Sequence, residues 1–307
     1  MFPFRLGTTS YILPADIAPN VHYLKDRVQD IELVLFEVDD GPNNLPGPAV
    51  IDELNALAAA HGLSYTVHLP LDLRLGAGGD ESHVSLVKAR RVIACTRALN
   101  PWAYILHLDG KEFLSLLPRA DSPLPLGEGL GVRDIPLGER PEVRDIPLGE
   151  RPEVREKLRD WQSNAARALE LAAEWAGDPA RLAVENLEHY PPDFILPVLE
   201  RAPVNRCVDI GHLWLDGHDP LPHLRAALPR TRVVHLHGVA DRDHKSLAHM
   251  PPDKLDPVIA LLLRENYAGV LTLEVFGEDD FHSSLAAVQS SLCRVRRSER
   301  REACQEP

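Results

Sequence analysis

The chain carries no surplus of positive charge: 33 lysines and arginines stand against 46 aspartates and glutamates, a formal −13 over 307 residues. At long range that field repels a polyanion, so a DNA or RNA groove is disfavoured and no nucleic-acid partner is expected. A bound cation brings its own positive charge, so phosphate chemistry stays open. Cysteine is scarce as well. Cys95, Cys207, Cys293 and Cys304 form no C-x-x-C and keep no regular spacing, which speaks against a disulfide framework and for a reducing compartment. No window reaches the roughly eighteen uninterrupted apolar residues of a membrane span. The opening MFPFRLGTTS has no basic stretch ahead of an apolar one. The expectation is therefore a cytoplasmic protein with no membrane partner. Nor does a G-x-G-x-x-G follow the first apolar run, which removes the fingerprint of a dinucleotide-binding open sheet.

What is present is an ordinary globular balance, 44% apolar and 26% charged, with a length that one α/β barrel fills. Short runs rich in Val, Leu and Ile alternate with helical segments. Strands are expected at Phe4–Thr9, in IELVLFEVDD from Ile31, in LSYTVHLP to His68, and in WAYILHLDG with His107 and Asp109. Four more are expected at Arg181–Glu185, Asn205–Asp209, Thr231–Leu236 and in VLTLEVF, which bears Glu274. Between them helices are expected from Ile17 to about Arg27 with Asp16 as cap, from Pro48 to a stop at Gly62, and from Asp80 to Leu99. The later ones run from Val154 to a stop at Gly177, then over Phe194–Glu200, Pro220–Leu228, Asp256–Glu265 and Phe281–Leu292. That alternation predicts a parallel (β/α)8 TIM barrel spanning residues 1–292 as a single domain, with its active site at the C-terminal ends of the strands.

Two segments break the pattern. VRDIPLGERPE occurs in tandem at Val132–Glu142 and Val143–Glu153, inside a stretch from Asp121 to Glu153. Proline and charge every few residues oppose both helix and ladder pairing, so this reads as a disordered insertion without catalytic residues. The charged tail, residues 293–307, is expected to fray.

Strand after strand reaches a carboxylate or an imidazole: Glu37, His68, His107, Glu185, Asp209 with His212, His235 with His237, and Glu274. Asp241, Asp243 and His244 follow the seventh strand closely. Each has an ordinary account. A lone His68 or His107 can donate to a carbonyl. Glu185 can pair with an arginine and Glu274 with a neighbouring base. Asp209-x-x-His212 can be a helix cap followed by a surface histidine. Recurrence at successive strand ends is what independent accounts do not produce, and His235-x-His237 sets two rings on one side of a strand. Imidazoles with carboxylates suit zinc, manganese or ferrous iron, and a bridging carboxylate lets two cations share a site. Two or more divalent cations are the expected cofactors.

In this order the residues resemble the xylose-isomerase-like barrel superfamily, which includes endonuclease IV-type abasic-site nucleases and many sugar epimerases. The nuclease pattern His, His, Glu, Asp-x-x-His, His, Asp-x-His, Glu falls on His68, His107, Glu185, Asp209 with His212, His235, the Asp241–His244 stretch and Glu274. The chain departs from it twice: Asp241-Arg242-Asp243-His244 replaces Asp-x-His, and His237 stands where the pattern has an amide. The opening FRLGTTSYILPADIAPNVHYLKDRVQDIELVLFE, with VVHLHGV and RDHKSL, resembles the cobamide-remodelling phosphodiesterases of the CbiR type. The resemblance implies metal ligation by His68, His107, Glu185, Asp209, His212, His235, Asp241, His244 and Glu274. It implies catalytic roles for Glu185 and Glu274, and substrate contacts from Glu37, His237, Arg242 and Asp243. The implied reaction on this small-molecule substrate is hydrolysis of a phosphodiester in the nucleotide loop of a cobamide, a B12-type cofactor, to a cobinamide phosphate and an α-riboside. The alternative is a metal-dependent sugar isomerase or epimerase, in which Glu185 and Glu274 exchange a proton beside a carbonyl. An abasic-site endonuclease and a non-catalytic corrinoid-binding protein are further rivals.

Overall fold

The structure, a computed structural model, describes residues 3–37, 43–114 and 152–303, with side chains through residue 301. The expected insertion from Asp121, apart from the two residues that open a helix at Pro152, lies outside the described residues. So do Asp39 and Asp40 of the expected second strand and the end of the tail.

Eight strands, β1 (Arg5–Thr9), β2 (Asp30–Val34), β3 (Ser64–His68), β4 (Ala103–His107), β5 (Leu182–Glu185), β6 (Asn205–Asp209), β7 (Thr231–Leu236) and β8 (Val270–Leu273), pair in sequence order into one closed barrel. All the pairings are parallel, and β8 closes onto β1 in the register Leu6↔Leu271. The connections carry α1 (Ile17–Leu24), α2 (Pro48–His61), α3 (Val84–Thr96), α4 (Lys111–Leu114) and α5 (Pro152–Ala176). They continue with α6 (Leu196–Leu199), α7 (Ile210–Leu215), α8 (Pro220–Ala227), α9 (Pro252–Arg264) and α10 (Glu278–Ala303). The expected barrel is the one that forms. No helix among the described residues is long and apolar enough to cross a membrane.

Strand parity explains both the core and the site. Ile31, Leu33, Tyr65, Val67, Tyr104, Leu106, Val184, Val208, Val234, Leu271 and Leu273 join the large core between strands and helices. Residues of the opposite parity, Ala103, Ile105, Ala183, Cys207, Val233 and Val270, form a second small cluster inside the barrel. Two residues beyond Ile105, Ala183, Cys207 and Val233, on the same inward face, stand His107, Glu185, Asp209 and His235. An inner layer of small apolar side chains thus floors the group above it.

Several boundaries differ from expectation. β2 ends at Val34, so Glu37 is off the strand and sits in an isolated bridge with Asn43. α9 begins at Pro252, ahead of Asp256. α7 is absent from the expected helices, although a helix cap is one account of Asp209-x-x-His212; Asp209 does cap it, its Oδ1 accepting from the His212 N–H at 2.7 Å. The tail does not fray where its charge suggests: α10 passes Leu292 and continues to Ala303. The reason is a partner. Val295 is buried, and Arg294 makes two 2.7 Å contacts with Asp256 of α9.

Candidate metal centre

Glu185, last residue of β5, is the centre of the arrangement. Its Oε2 lies 3.2 Å from Nε2 of both His68 and His107, and its Oε1 lies 3.2 Å from Nδ1 of His235. The same His235 nitrogen is 3.0 Å from Glu274 Oε2 and 3.8 Å from Asp209 Oδ2. Donor atoms of Glu185, Asp209, His235 and Glu274 all fall within 4.8 Å of one another, as do those of His68, His107 and Glu185. A third set, His212, His237 and His244, satisfies the same limit. The strand registers His107↔Glu185 and Asp209↔His235 set these side chains abreast.

Electrostatics bind the group together. Burial on its own would raise the pKa of Glu185 and Glu274, but the neighbouring His235 and the hydrogen bonds from the imidazoles hold both well below the usual carboxylate range. Burial opposes a charge on His68 and His212. Glu185 beside the first, and Asp209 with Glu185 beside the second, overcome it and raise both to about 9.

The donor set fits divalent cations. Asp209 Oδ2 and Glu32 Oε1 are buried without a hydrogen-bond partner, an arrangement that costs free energy unless something else satisfies it, while Glu274 Oε2 and His237 Nε2 meet only ion-pair contacts, at 3.0 Å to His235 Nδ1 and 3.3 Å to Asp209 Oδ1. Three of the imidazoles are also oriented as ligands are, one ring nitrogen anchored and the other left to the centre. His68 Nδ1 is held by Leu69 O at 2.7 Å, His212 Nδ1 by Asn186 O at 3.0 Å, and His235 Nε2 by Glu32 Oε2 at 2.9 Å. Nitrogen and oxygen donors mixed in this way suit zinc, manganese or iron.

The structure therefore brings together His68, His107, Glu185, Asp209, His212, His235, His237, His244 and Glu274. It leaves Asp241 outside: that side chain is exposed, 3.7 Å from Lys245 Nζ, held away because the turn directs it to solvent. Asp243 is the nearer aspartate, with Oδ2 3.6 Å from His244 Nε2. Arg242 is exposed, and its carbonyl closes the turn by accepting from the Ala240 N–H. Glu37 is buried and ion-paired to Arg91 of α3, with no contact to the histidines among the described residues. The cap account of Asp209 holds, and because capping uses Oδ1 it leaves Oδ2 free of that role. His212 is buried rather than a surface histidine.

Three residues were missed. Glu32, fully buried within β2, has the inward parity that points to it, but an apolar run draws attention to its end instead. Asn186 accepts from the Asp209 N–H at 2.9 Å and donates to the Asp209 carbonyl at 3.0 Å. Glu188 lies 3.5 Å from His212 Nε2; nothing in the sequence marks it.

The family profile described as xylose isomerase-like TIM barrel matches residues 27–296. No curated protein matches the sequence significantly. Among solved structures, a D-tagatose 3-epimerase-like protein is 18% identical with a TM-score of 0.66, over 96% of this chain and 99% of that one. Endonuclease IV from Thermus thermophilus is 19% identical with a TM-score of 0.61, over 94% and 99%. A further Thermus thermophilus protein, in crystals soaked with zinc chloride, is 21% identical with a TM-score of 0.55, over 94% and 98%. At these identities the likeness is one of fold.

Proposed function

This chain belongs to the xylose isomerase-like TIM barrel family, and on that footing we propose that it is a metal-dependent hydrolase acting on a phosphodiester. The observation that carries the reading is the number of donor sets. Glu185, Asp209, His235 and Glu274 are enough for one cation, yet His68 with His107 adjoins them on one side and three further histidines on the other. A one-cation epimerase has no use for those extra imidazoles, whereas a phosphate with several anionic oxygens does. Divalent cations, when bound, acidify water and neutralise phosphoryl oxygens.

The chain's own residues supply the rest. Glu185 belongs to two of the sets and would join them, while Asp209 lies between the inner set and His237, with Oδ1 3.3 Å from His237 Nε2. Glu274, its Oε2 3.6 Å from His244 Nδ1, would hold or pass a proton at the rim. His107, Asp243 and His244, only partly buried, form the face that a substrate meets.

The substrate we propose is a cobamide, cleaved in its nucleotide loop to a cobinamide phosphate and an α-riboside in the cytoplasm, with no nucleic-acid or membrane partner. The support is the opening segment, Phe4 to Glu37, which builds β1, α1 and β2, together with VVHLHGV and RDHKSL. A sugar isomerase or epimerase is the second reading, favoured by the four-residue set with Glu185 and Glu274 flanking one cation position. Incubating the zinc- or manganese-loaded protein with cobalamin tests the proposal. Release of the α-riboside is expected; ketose epimerisation without riboside release would replace the first reading with the second.

A further inference from the structure

The end of the barrel opposite the metal centre carries a site of another kind. We propose that a cavity there binds a small diphosphate, free or as part of a nucleotide, through arginines that have no carboxylate of their own. The inference is independent of what the centre does.

The cavity, about 500 Å³, lies where the chain enters the strands. Trp102 precedes β4, Asn205 and Thr231 begin β6 and β7, Arg232 follows, and Arg225 and Arg230 come from α8 and the turn after it. That volume falls within the roughly 300–1,000 Å³ of small-ligand pockets. Arg232 stands three residues before His235, about 10 Å along the strand. Val233 and Cys207, of the inner apolar layer, lie between the two levels, and Trp102 packs against that layer. A ligand in the cavity therefore does not touch the centre.

The charge here runs against that of the whole chain. Arg225, Arg230 and Arg232 line the cavity, and three more arginines adjoin them. Arg5 shares the Trp102 ring with Arg232, their guanidinium carbons 4.5 and 4.1 Å from its centroid. Arg181 neighbours Arg232, and Arg206 neighbours Arg230. None of the six is ion-paired among the described residues. Glu265, which also lines the cavity, lies 3.8 Å from Arg264 instead, and Asp178, near Arg232, accepts from the Ala180 N–H. Burial, with Arg230 beside it, brings Arg206 down to about 10. Its terminal nitrogen meets only His223 Nε2, at 2.7 Å, and burial together with Arg206 lowers that ring to about 4, so it brings no charge. Like charges gathered without a counter-charge are what a bound anion relieves.

The donors are both fixed and free. The Arg230 terminal nitrogens hold the carbonyls of Leu199, Ala202 and Val204. Arg232 donates Nε to the Trp102 carbonyl, and Trp102 donates Nε1 to the Arg232 carbonyl at 3.2 Å. That exchange fixes the Arg232 guanidinium and leaves its two terminal nitrogens for a ligand. Thr231 Oγ1 and Arg206 Nε are buried without a partner. Guanidinium forks match phosphoryl oxygens in pairs, and several around one cavity call for more than one phosphoryl group. The aromatic rings are already taken, Trp102 by Arg5 and Arg232, and Tyr267 by Phe4. No ring face is left for a nucleobase, so recognition rests on the phosphates.

The test is titration calorimetry of the full-length protein with pyrophosphate, ADP, AMP and inorganic phosphate at low ionic strength. Prior chelation keeps the metal centre from holding a phosphate through a cation. Pyrophosphate is expected to bind at least as tightly as ADP, both are expected to bind more tightly than AMP or phosphate, and added salt is expected to weaken all of them. Arg225→Ala and Arg232→Gln are each expected to weaken pyrophosphate about tenfold or more. Arg225→Glu, a change at an exposed position, is expected to abolish binding with the wild-type circular dichroism. Glu185→Gln, at the other end of the barrel, is expected to leave binding unchanged. A wild type that takes up no pyrophosphate would overturn the proposal. Binding that survives Arg225→Glu and is lost in Glu185→Gln would overturn it as well, by placing the anion at the centre. ADP held far more tightly than pyrophosphate would overturn recognition by the phosphates alone.

Discussion

A buried carboxylate is expensive, and Glu32 shows what keeps one in place. It is fully buried in β2, one oxygen 2.9 Å from His235 Nε2 and the other without a partner. Desolvating such a group costs several kcal/mol unless it is paired. The pairing with His235 turns that ring so that Nδ1 faces Glu185, Asp209 and Glu274. Glu32→Gln is expected to weaken cation binding about 10- to 100-fold, measured by competition with a chelator, while the melting temperature of the stripped protein does not fall. An equal loss of stability with and without metal would show that Glu32 only supports the fold. Glu185 is a different case, because His68, His107 and His235 all share it. Glu185→Gln is expected to abolish turnover and remove cations while the circular dichroism stays that of the wild type; normal activity would take Glu185 out of the site.

At the scale of elements, helix α10 was misjudged from its charge, and the misjudgement yields a prediction. Removing residues 293–307 exposes core around Val295 and breaks the Arg294–Asp256 pair. The first effect is worth roughly 1.5–2 kcal/mol and the half-exposed pair about 0.2–1 kcal/mol. A melting temperature several degrees lower is expected by calorimetry; an unchanged one would mean that the segment contributes nothing. Most of the strands were readable because they are short, largely apolar and buried on both faces, and their inward ends carried His68, His107, Glu185, Asp209 and His235 into view. What stayed hidden has physical causes. α7 is only Ile210–Leu215, too short to show a period, and its cap Asp209 is also the last residue of β6. Glu32 lies inside its run, so only the alternation of faces distinguishes it. Asp241 and Asp243 are equivalent in sequence, and only the turn's geometry sends one to solvent and the other towards His244.

For the molecule as a whole, the acidic balance meets its local exception at the rim, where Glu32, Glu185, Asp209 and Glu274 are buried together. Without cations the compensating charge is protons on imidazoles. The carboxylates around them raise His68 and His212 to about 9, despite burial, and Cys207 together with Glu274, Glu32 and Glu185 puts His235 well above its ordinary value. These folded-state values lie above the unfolded value of about 6.5. Their stabilising contribution is therefore complete below a pH of about 6.5 and is lost as pH climbs through 9. Cations must displace those protons to bind. The stripped protein is thus expected to lose thermal stability from about pH 6.5 to about pH 9 while the zinc-loaded protein holds, so the gap in melting temperature widens with pH. Titration calorimetry at about pH 7 in two buffers of different ionisation enthalpy is expected to show proton release on zinc binding. A gap independent of pH, with no protons released, would mean that the imidazoles are already neutral in the empty site and that the carboxylates are balanced in some other way.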